Sequence, residues 1–315
     1  MLAAVLHEEG GPEVLRVEQV PEPEIGPGQV LVRLHTASLN HLDVWVRRGL
    51  PSVPKPRILG ADGAGVRVDT GERVVINPGL EHGQAITVIG EHTEGTHAEL
   101  IAVPETNVFP LDDAISFETA AAFPLVYETA YRMLVTKARL QEGELVLIWG
   151  IGGGVATASF EIARALGART LVTSGFDEKL ARAGEWGADA AVPHAEATAA
   201  AKELGGVDLV VETVGEATWK DSLAAVKPGG RVVVCGATSG PNPPAQLHRF
   251  WWKQLTVYGS TMGTREDFLG AYDLVRSGRA RVHVDSVFPL EDTRAAHERL
   301  ERGDQLGKIV LEIPG

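Results

Sequence analysis

The stretch Leu145-Val-Leu-Ile-Trp149-Gly150-Ile151-Gly152-Gly153-Gly154-Val155-Ala156 carries the sharpest chemical signal in this 315-residue chain. An apolar strand runs into a glycine-rich turn, and the turn opens a helix. Glycine lets the backbone approach a pyrophosphate closely, and a helix N-terminus supplies free N–H groups and positive potential. That context predicts a dinucleotide site. The spacing departs from a strict G-x-G-x-x-G, because Val155 stands where the third glycine would fall when counting starts at Gly150. The turn reads as one residue longer, with Ala156 as the small residue that lets helix and strand pack together.

The end of the next strand bears on which dinucleotide is held. An NAD site usually places Asp or Glu about 20 residues after the glycines, on the ribose 2′-OH. Here Leu171-Val172-Thr173-Ser174-Gly175-Phe176 offers no carboxylate, while Lys179 follows and Arg182 lies a turn later. A hydroxyl plus a lysine suits the extra phosphate of NADP(H). Asp177 and Glu178 weigh the other way unless they point outward, so NAD stays open. Lys179 as a solvated helix charge is the plain alternative.

These residues need a scaffold. From Leu145 onward continuous apolar strands alternate with helices: Leu145–Trp149, Thr170–Thr173, Ala190–Val192, Val207–Val211, Arg231–Cys235 and Leu255–Tyr258 read as strands. Val155, Ala158, Ile162 and Leu166 make one helix face. Further helices are predicted over Asp177–Glu185, Ala195–Leu204 and Thr218–Val226. Such alternation means a doubly wound parallel sheet covered on both sides. Residues 1 to about 118 differ. Short apolar segments (Leu2–Leu6, Val14–Val17, Val30–Leu34, Arg73–Ile76, His97–Val103) alternate with Gly/Pro turns, with one helix over Leu39–Arg48. That is the pattern of a small β-rich barrel or sandwich. Ser116 is a good N-cap for a helix running through Thr119–Val135. The tail, with helices at Phe268–Arg276 and Thr293–Leu300 and a strand at Lys308–Ile313, is placed back on the first domain. The division expected is 1–118 with 264–315, and 119–263.

Composition narrows the function. The formal net charge is −13, which disfavours nucleic acid and gives no help on an anionic membrane. No apolar run approaches the roughly 18 residues of a membrane span. The single cysteine, Cys235, excludes an intrachain disulfide and a site of several thiolates. A cytoplasmic protein is expected, because nothing at the start reads as a signal peptide.

Several segments in chain order resemble the medium-chain dehydrogenase/reductase superfamily. They are Ser38-Leu-Asn40-His41-Leu-Asp43-Val-Trp45-Val-Arg47-Arg48-Gly49, Leu59-Gly60-Ala61-Asp62-Gly63-Ala64-Gly65, Gly71–Gly79, Gly95–Glu99, Thr129–Leu134, the glycine turn, Gly259-Ser-Thr-Met-Gly263 and Leu306-Gly-Lys308-Ile-Val310. The resemblance implies an α/β fold in which a Rossmann domain is inserted in a GroES-like barrel formed by both chain ends. The active site would then lie in the cleft between them. Within the superfamily the chain is similar both to zinc-independent quinone oxidoreductases and to zinc-type alcohol dehydrogenases.

The resemblance aligns the first cysteine ligand of the catalytic zinc with Asn40 and its histidine with Ala61, and neither suits the metal. It offers no third thiolate near Tyr127. Between Asn77 and Ala98 stand His82, His92 and His97 but no cysteine; a three-histidine metal site is conceivable there, exposed loop histidines are the plain reading, and no metal is expected. Without a Lewis acid, hydride is best given to quinones or α,β-unsaturated carbonyls, whose developing negative charge donors or solvent can meet. An alcohol dehydrogenase and a non-catalytic NADPH sensor are the rival readings.

By resemblance, Gly150, Gly152, Gly153, Gly154 and Val155 line the pyrophosphate, Ser174 and Lys179 meet the 2′-phosphate, and Thr129 lies near the nicotinamide. A tyrosine near the adenosine falls at His194. Cys235, Gly236 and Gly259 close sheet strands where ligands of open α/β sheets bind. Asn40 and Asp43 are the catalytic candidates. Asn40, Trp45 and Trp251 are the candidates for the substrate pocket. Core packing is the alternative for Trp45, and a barrel-stabilising acceptor for Asp43. Trp251-Trp252 could equally cover a subunit interface. Related proteins pair through the last Rossmann strand, which implies a homodimer near Leu255–Tyr258.

Overall fold

Strands that are apolar on both faces must be covered on both faces, and the predicted alternation resolves into one six-stranded sheet. Its order is Ala190–Pro193, Arg169–Ser174, Leu145–Ile148, Val207–Glu212, Val226–Val234, Thr256–Gly259. Every neighbouring pair is parallel. Numbered along the chain this is 3-2-1-4-5-6, the doubly wound Rossmann arrangement, whose order reverses beside the first strand. Leu145, Leu147, Trp149, Leu171, Val210, Leu223 and Val232 form its core. The computed structural model describes residues 1–83 and 85–314.

By contacts the chain separates into Val126–Arg281, which holds this sheet, and a second unit of Met1–Leu125 with the segment from Val282 onward. The Arg265–Arg276 helix therefore lies with the Rossmann sheet and not, as the sequence suggested, with the barrel. Its buried face of Phe268, Ala271, Tyr272, Leu274 and Val275 shows that it covers a core. Periodicity cannot say which core. The expected helix over Thr119–Val135 is also divided. Ser116 caps Phe117–Ala122 through the Thr119 N–H. A second helix starts at Pro124 and runs to Tyr131, and Arg132–Lys137 winds as a wider π turn. Pro124 cannot donate to the preceding turn, which breaks the run there.

In the other unit the ten-residue strand Gln29–Ser38 is the spine. Its first half pairs Leu100–Pro104. Its second half lies between Asp62–Arg67 and Lys308–Glu312. Arg73–Ile76 and Val108–Pro110 extend the sheet one way, and Val284–Pro289 the other. A three-stranded sheet of Leu15–Gln19, Leu2–Leu6 and Arg57–Ile58, and a hairpin of Gly79–His82 with Ala85–Val88, complete the unit. Val32, Leu34, Val74, Ile76, Ile101, Ile309 and Leu311 fill its core. Among the described residues no helix is long and apolar enough to cross a membrane.

Candidate functional site

At the glycine corner, Gly150 has φ +70° and Gly152 φ +117°, conformations that L side chains avoid. The corner is pinned to the neighbouring strand. The Gly150 N–H donates to Thr173 Oγ1 at 3.2 Å, and the Ile151 N–H donates to the Thr173 carbonyl at 2.8 Å. A side chain on Gly150 would meet nothing within 4 Å, so open space borders the turn. The helix Gly154–Ala165 starts from Gly153, which offers no capping side chain. The N–H groups of Gly154, Val155 and Ala156 have no acceptor within the helix. Helix N-terminal donors and positive potential thus adjoin a turn bordered by open space at Gly150, and a dinucleotide pyrophosphate fits such a corner.

Behind the corner is a network that the sequence did not announce. The buried Trp149 donates its indole N–H to Ser222 Oγ at 2.8 Å, and Ser222 donates to Glu212 Oε2 at 2.5 Å. Glu212 closes its strand fully buried. Its Oε1 accepts the N–H groups of Val214 and Gly215 and the Thr218 hydroxyl at 2.8–3.0 Å. Two adjacent strand ends and the Glu216–Ala225 helix are thereby joined. A lone carboxylate ending an apolar strand was the available hint.

Ser174 and Lys179 come to the end of the adjoining strand. Ser174 is buried, and its hydroxyl accepts the Phe176 N–H at 3.1 Å. Lys179 is buried on the helix Asp177–Glu185, with its ammonium 4.7 Å from the Phe176 ring centroid. His194 Nδ1 lies 2.9 Å from Thr173 Oγ1, and its ring centroid is 6.0 Å from that of Trp149. Cys235 and Gly236 directly follow the fifth strand, and Gly259 closes the sixth. Burial, with the Glu212 charge, pushes the Cys235 thiol up to about 12, which disfavours the thiolate at neutral pH. Thr129 is buried on Pro124–Tyr131. Trp251 and Trp252 lie on a helix, Leu247–Lys253, that the sequence reading missed, and they are 63% and 77% exposed.

Asn40, Asp43 and Trp45 lie at the start of the helix His41–Arg47 in the other unit. Asp43 is buried with both oxygens engaged. Oδ2 accepts the Asn40 N–H at 2.7 Å, and Oδ1 accepts the Gly60 N–H at 3.0 Å. Burial raises its pKa against the pull of His97 and Lys308. This geometry matches the barrel-stabilising alternative. Gly60 itself is obligatory, since φ is +97° and a Cβ would stand 2.3 Å from the His97 ring. Trp45 is half-buried.

Asn40 belongs to a buried cluster drawn from three strands. Its Nδ2 donates to Asp62 Oδ2 at 2.9 Å, and its Oδ1 accepts from Lys308 Nζ at 2.5 Å. Lys308 also donates to Asp62 Oδ2 at 3.1 Å, as does the Ser38 hydroxyl at 3.1 Å. The Leu125 N–H donates to Asp62 Oδ1 at 2.8 Å. Sequence reasoning missed Asp62 and Lys308 as site residues. Burial lowers the Lys308 pKa, and Asp62 opposes the shift.

The residues at this place do not fit a zinc ion. Ala61 carries no donor atom, and the Asn40 oxygen already faces an ammonium, which would repel a dication. The three histidines noted in the sequence are not brought together: His82 and His92 are exposed, while His97 is fully buried. His82 contacts Thr87, and His92 accepts the Val88 N–H.

Comparison with known proteins agrees with this architecture. Residues 26–113 match the alcohol dehydrogenase GroES-like domain family, and residues 154–277 match the zinc-binding dehydrogenase family. The chain is 31% identical to mouse (Mus musculus) quinone oxidoreductase over 333 residues, covering 99% of this chain and 97% of that protein. Among solved structures it is similar to an NAD-dependent alcohol dehydrogenase, at 38% identity and TM-score 0.95 with both chains fully covered. It is also similar to the quinone oxidoreductase of Thermus thermophilus, solved with and without NADPH, at 33% identity and TM-score 0.85 over 99% of this chain and 100% of that one.

Proposed function

Since the chain belongs to the medium-chain dehydrogenase/reductase superfamily, in its quinone oxidoreductase-like part, we propose that it is an NADPH-dependent reductase of quinones or α,β-unsaturated carbonyls that works without metal. The chain is an oxidoreductase that uses a nicotinamide dinucleotide.

What supports it most is the donor set at Asn40, Ala61 and Lys308, which provides no Lewis acid for a simple ketone. A quinone or enone needs none, because the charge developing on its oxygen is delocalised and hydrogen bonds can meet it. When bound, the nicotinamide supplies or accepts the hydride. The chain's own parts do the rest. Gly150, Gly152, Gly153, Gly154 and Val155 hold the pyrophosphate. Ser174 and Lys179 take the 2′-phosphate, and Thr129, Cys235, Gly236 and Gly259 border the dinucleotide. Asn40 presents a hydrogen-bond donor to the acceptor's oxygen, Asp43 fixes the backbone that carries it, and Trp45 lines the acceptor's pocket.

The resemblance to an NAD-dependent alcohol dehydrogenase favours a second reading, and Asp177 and Glu178 in the first turn after the second strand would suit a ribose hydroxyl. One set of assays separates the two. Purified protein should oxidise NADPH with quinones or enones, and elemental analysis should find far less than one zinc per chain. Stoichiometric zinc required for turnover, or activity confined to NAD and alcohols, would overturn our reading. We further propose that the protein is cytoplasmic and works as a homodimer.

A further inference from the structure

An ion pair buried as deeply as Lys308–Asp62 is weak as a source of stability. Removing two charges from water costs about as much as their attraction returns, and apolar substitutes often do as well. Asp62 is fully buried and Lys308 nearly so. The pair therefore needs another reason to be here, and its third member supplies one.

The Asn40 carboxamide lies between unlike charges. Its oxygen faces the Lys308 ammonium at 2.5 Å, and its nitrogen faces the Asp62 carboxylate at 2.9 Å. Rotating the amide by half a turn would set NH2 against ammonium and C=O against carboxylate. Each of those contacts is donor on donor or acceptor on acceptor. Lys308 and Asp62 thus specify one orientation out of two. The carboxamide nitrogen carries two hydrogens, and one is committed to Asp62. The direction of the other is then set by the lock rather than by the amide's own rotamer. The backbone is held as well, because the Asn40 N–H is fixed by Asp43 Oδ2.

We propose that Lys308 is a positioning residue: paired with Asp62, it holds the Asn40 carboxamide in the single orientation that aims its second N–H at the oxygen of the hydride acceptor. A catalytic group of this kind gains from being oriented before charge develops, since nothing then has to reorganise. The inference rests on the reductase reading for its kinetic consequence, but the lock itself can be tested without turnover.

The test is a double-mutant cycle between Lys308 and Asn40, with the cofactor and quinone assayed on the full chain. Asn40→Ala should lower kcat by about a hundredfold, as loss of one oriented donor does elsewhere. Lys308→Met should lower kcat by about ten- to a hundredfold with little change in the KM for NADPH. The Lys308→Met/Asn40→Ala double variant should be no slower than Asn40→Ala alone, because Lys308 acts through Asn40. If Lys308→Met leaves Asp62 too exposed electrostatically to fold, Lys308→Met/Asp62→Asn removes both charges and should fold with the same loss of kcat. Thermal unfolding reports folding in each case. Independently, the side-chain amide protons of Asn40 should exchange slowly by NMR in the parent and at least tenfold faster in the Lys308→Met form that folds. Additive kinetic losses, or equal amide exchange in parent and variant, would overturn the proposal. Absence of turnover in the parent would defeat the reductase reading instead, leaving the exchange measurement to decide the lock.

Discussion

The ammonium of Lys179 lies 4.7 Å from the centre of the Phe176 ring, at the end of the strand that finishes in Ser174. The aromatic face steadies a cation that is otherwise buried. A positive charge a few residues beyond the strand that ends in Ser174 is suited to a phosphate monoester and wasted on a bare ribose. Replacing Lys179 with Met should therefore raise the KM for NADPH by roughly ten- to a hundredfold, the loss of one charge-assisted hydrogen bond, with little change for NADH. Steady-state kinetics with both cofactors checks it. An equal effect on the two would mean that Lys179 only packs.

Gly152, at φ +117°, tests the corner. Ala there is forced into a region closed to L residues and should cost about 1–2 kcal/mol of stability. The turn should relax toward a shape that no longer cradles the pyrophosphate. Calorimetric titration should show dinucleotide affinity falling at least tenfold while the far-ultraviolet dichroism stays native. Undiminished affinity would remove the glycines from the site.

Glu212 accepts four hydrogen bonds with its carboxylate fully buried. Glu212→Ala strands two backbone N–H groups and two hydroxyls, and should destabilise the fold by about 3–5 kcal/mol. Glu212→Gln keeps the shape and one acceptor oxygen, and should cost markedly less. Urea unfolding measures both. Equal costs would show that the full carboxylate, not the side chain's volume or one remaining acceptor oxygen, holds this corner.

Much of the parallel sheet could be read from continuous apolar strands, and the glycine corner announced itself locally. The polar clusters behind the sites could not be read in that way. Asn40 meets Lys308 across 268 residues of chain, and no periodicity links a lysine opening the final strand to an asparagine capping the first helix. Glu212 looks like any strand-terminal carboxylate until Ser222 and Trp149 fold onto it. The misplaced Arg265–Arg276 helix has the same cause. Its amphipathic face states that it covers something, and tertiary contacts decide what.

Acid should weaken the barrel unit through His97 and His297. Both rings are fully buried, with centroids 6.3 Å apart. Burial holds both pKa values below 6.5, His297 well below, with Lys308 adding to the shift at His97 and Arg47 to that at His297. Asp43 and Asp62 pull His97 back only in part. In the unfolded chain the same groups take up protons as pH falls through 6.5. The stability they allow is therefore complete above that pH and is lost below it, by up to about 1.4 kcal/mol per pH unit for each histidine. Asp43, whose folded pKa is raised, works in the opposite direction nearer the carboxylate range. Urea midpoints at pH 7.5 and 5.5 should differ, and His297→Leu should shrink that difference by about half. A variant with the parent's pH dependence would place the acid sensitivity elsewhere.

The sixth strand, Thr256–Gly259, pairs on one side with Val226–Val234 and ends the sheet order. An open edge in a parallel sheet invites another strand. Val257 is 37% exposed there, and the preceding helix exposes Leu247, Trp251 and Trp252 at 64%, 63% and 77%. Apolar exposure of this size beside a free edge suits a second copy of the same strand related by a twofold axis. A lysine at Val257 puts a charge on each side of that axis, where like charges oppose association. Sedimentation velocity should give a dimer for the parent and a monomer for Val257→Lys, and the monomer should still bind the dinucleotide, since the glycine corner is built within one chain. A monomeric parent at micromolar concentration would show that the edge is solvated, and would leave Trp251 free to serve the substrate side.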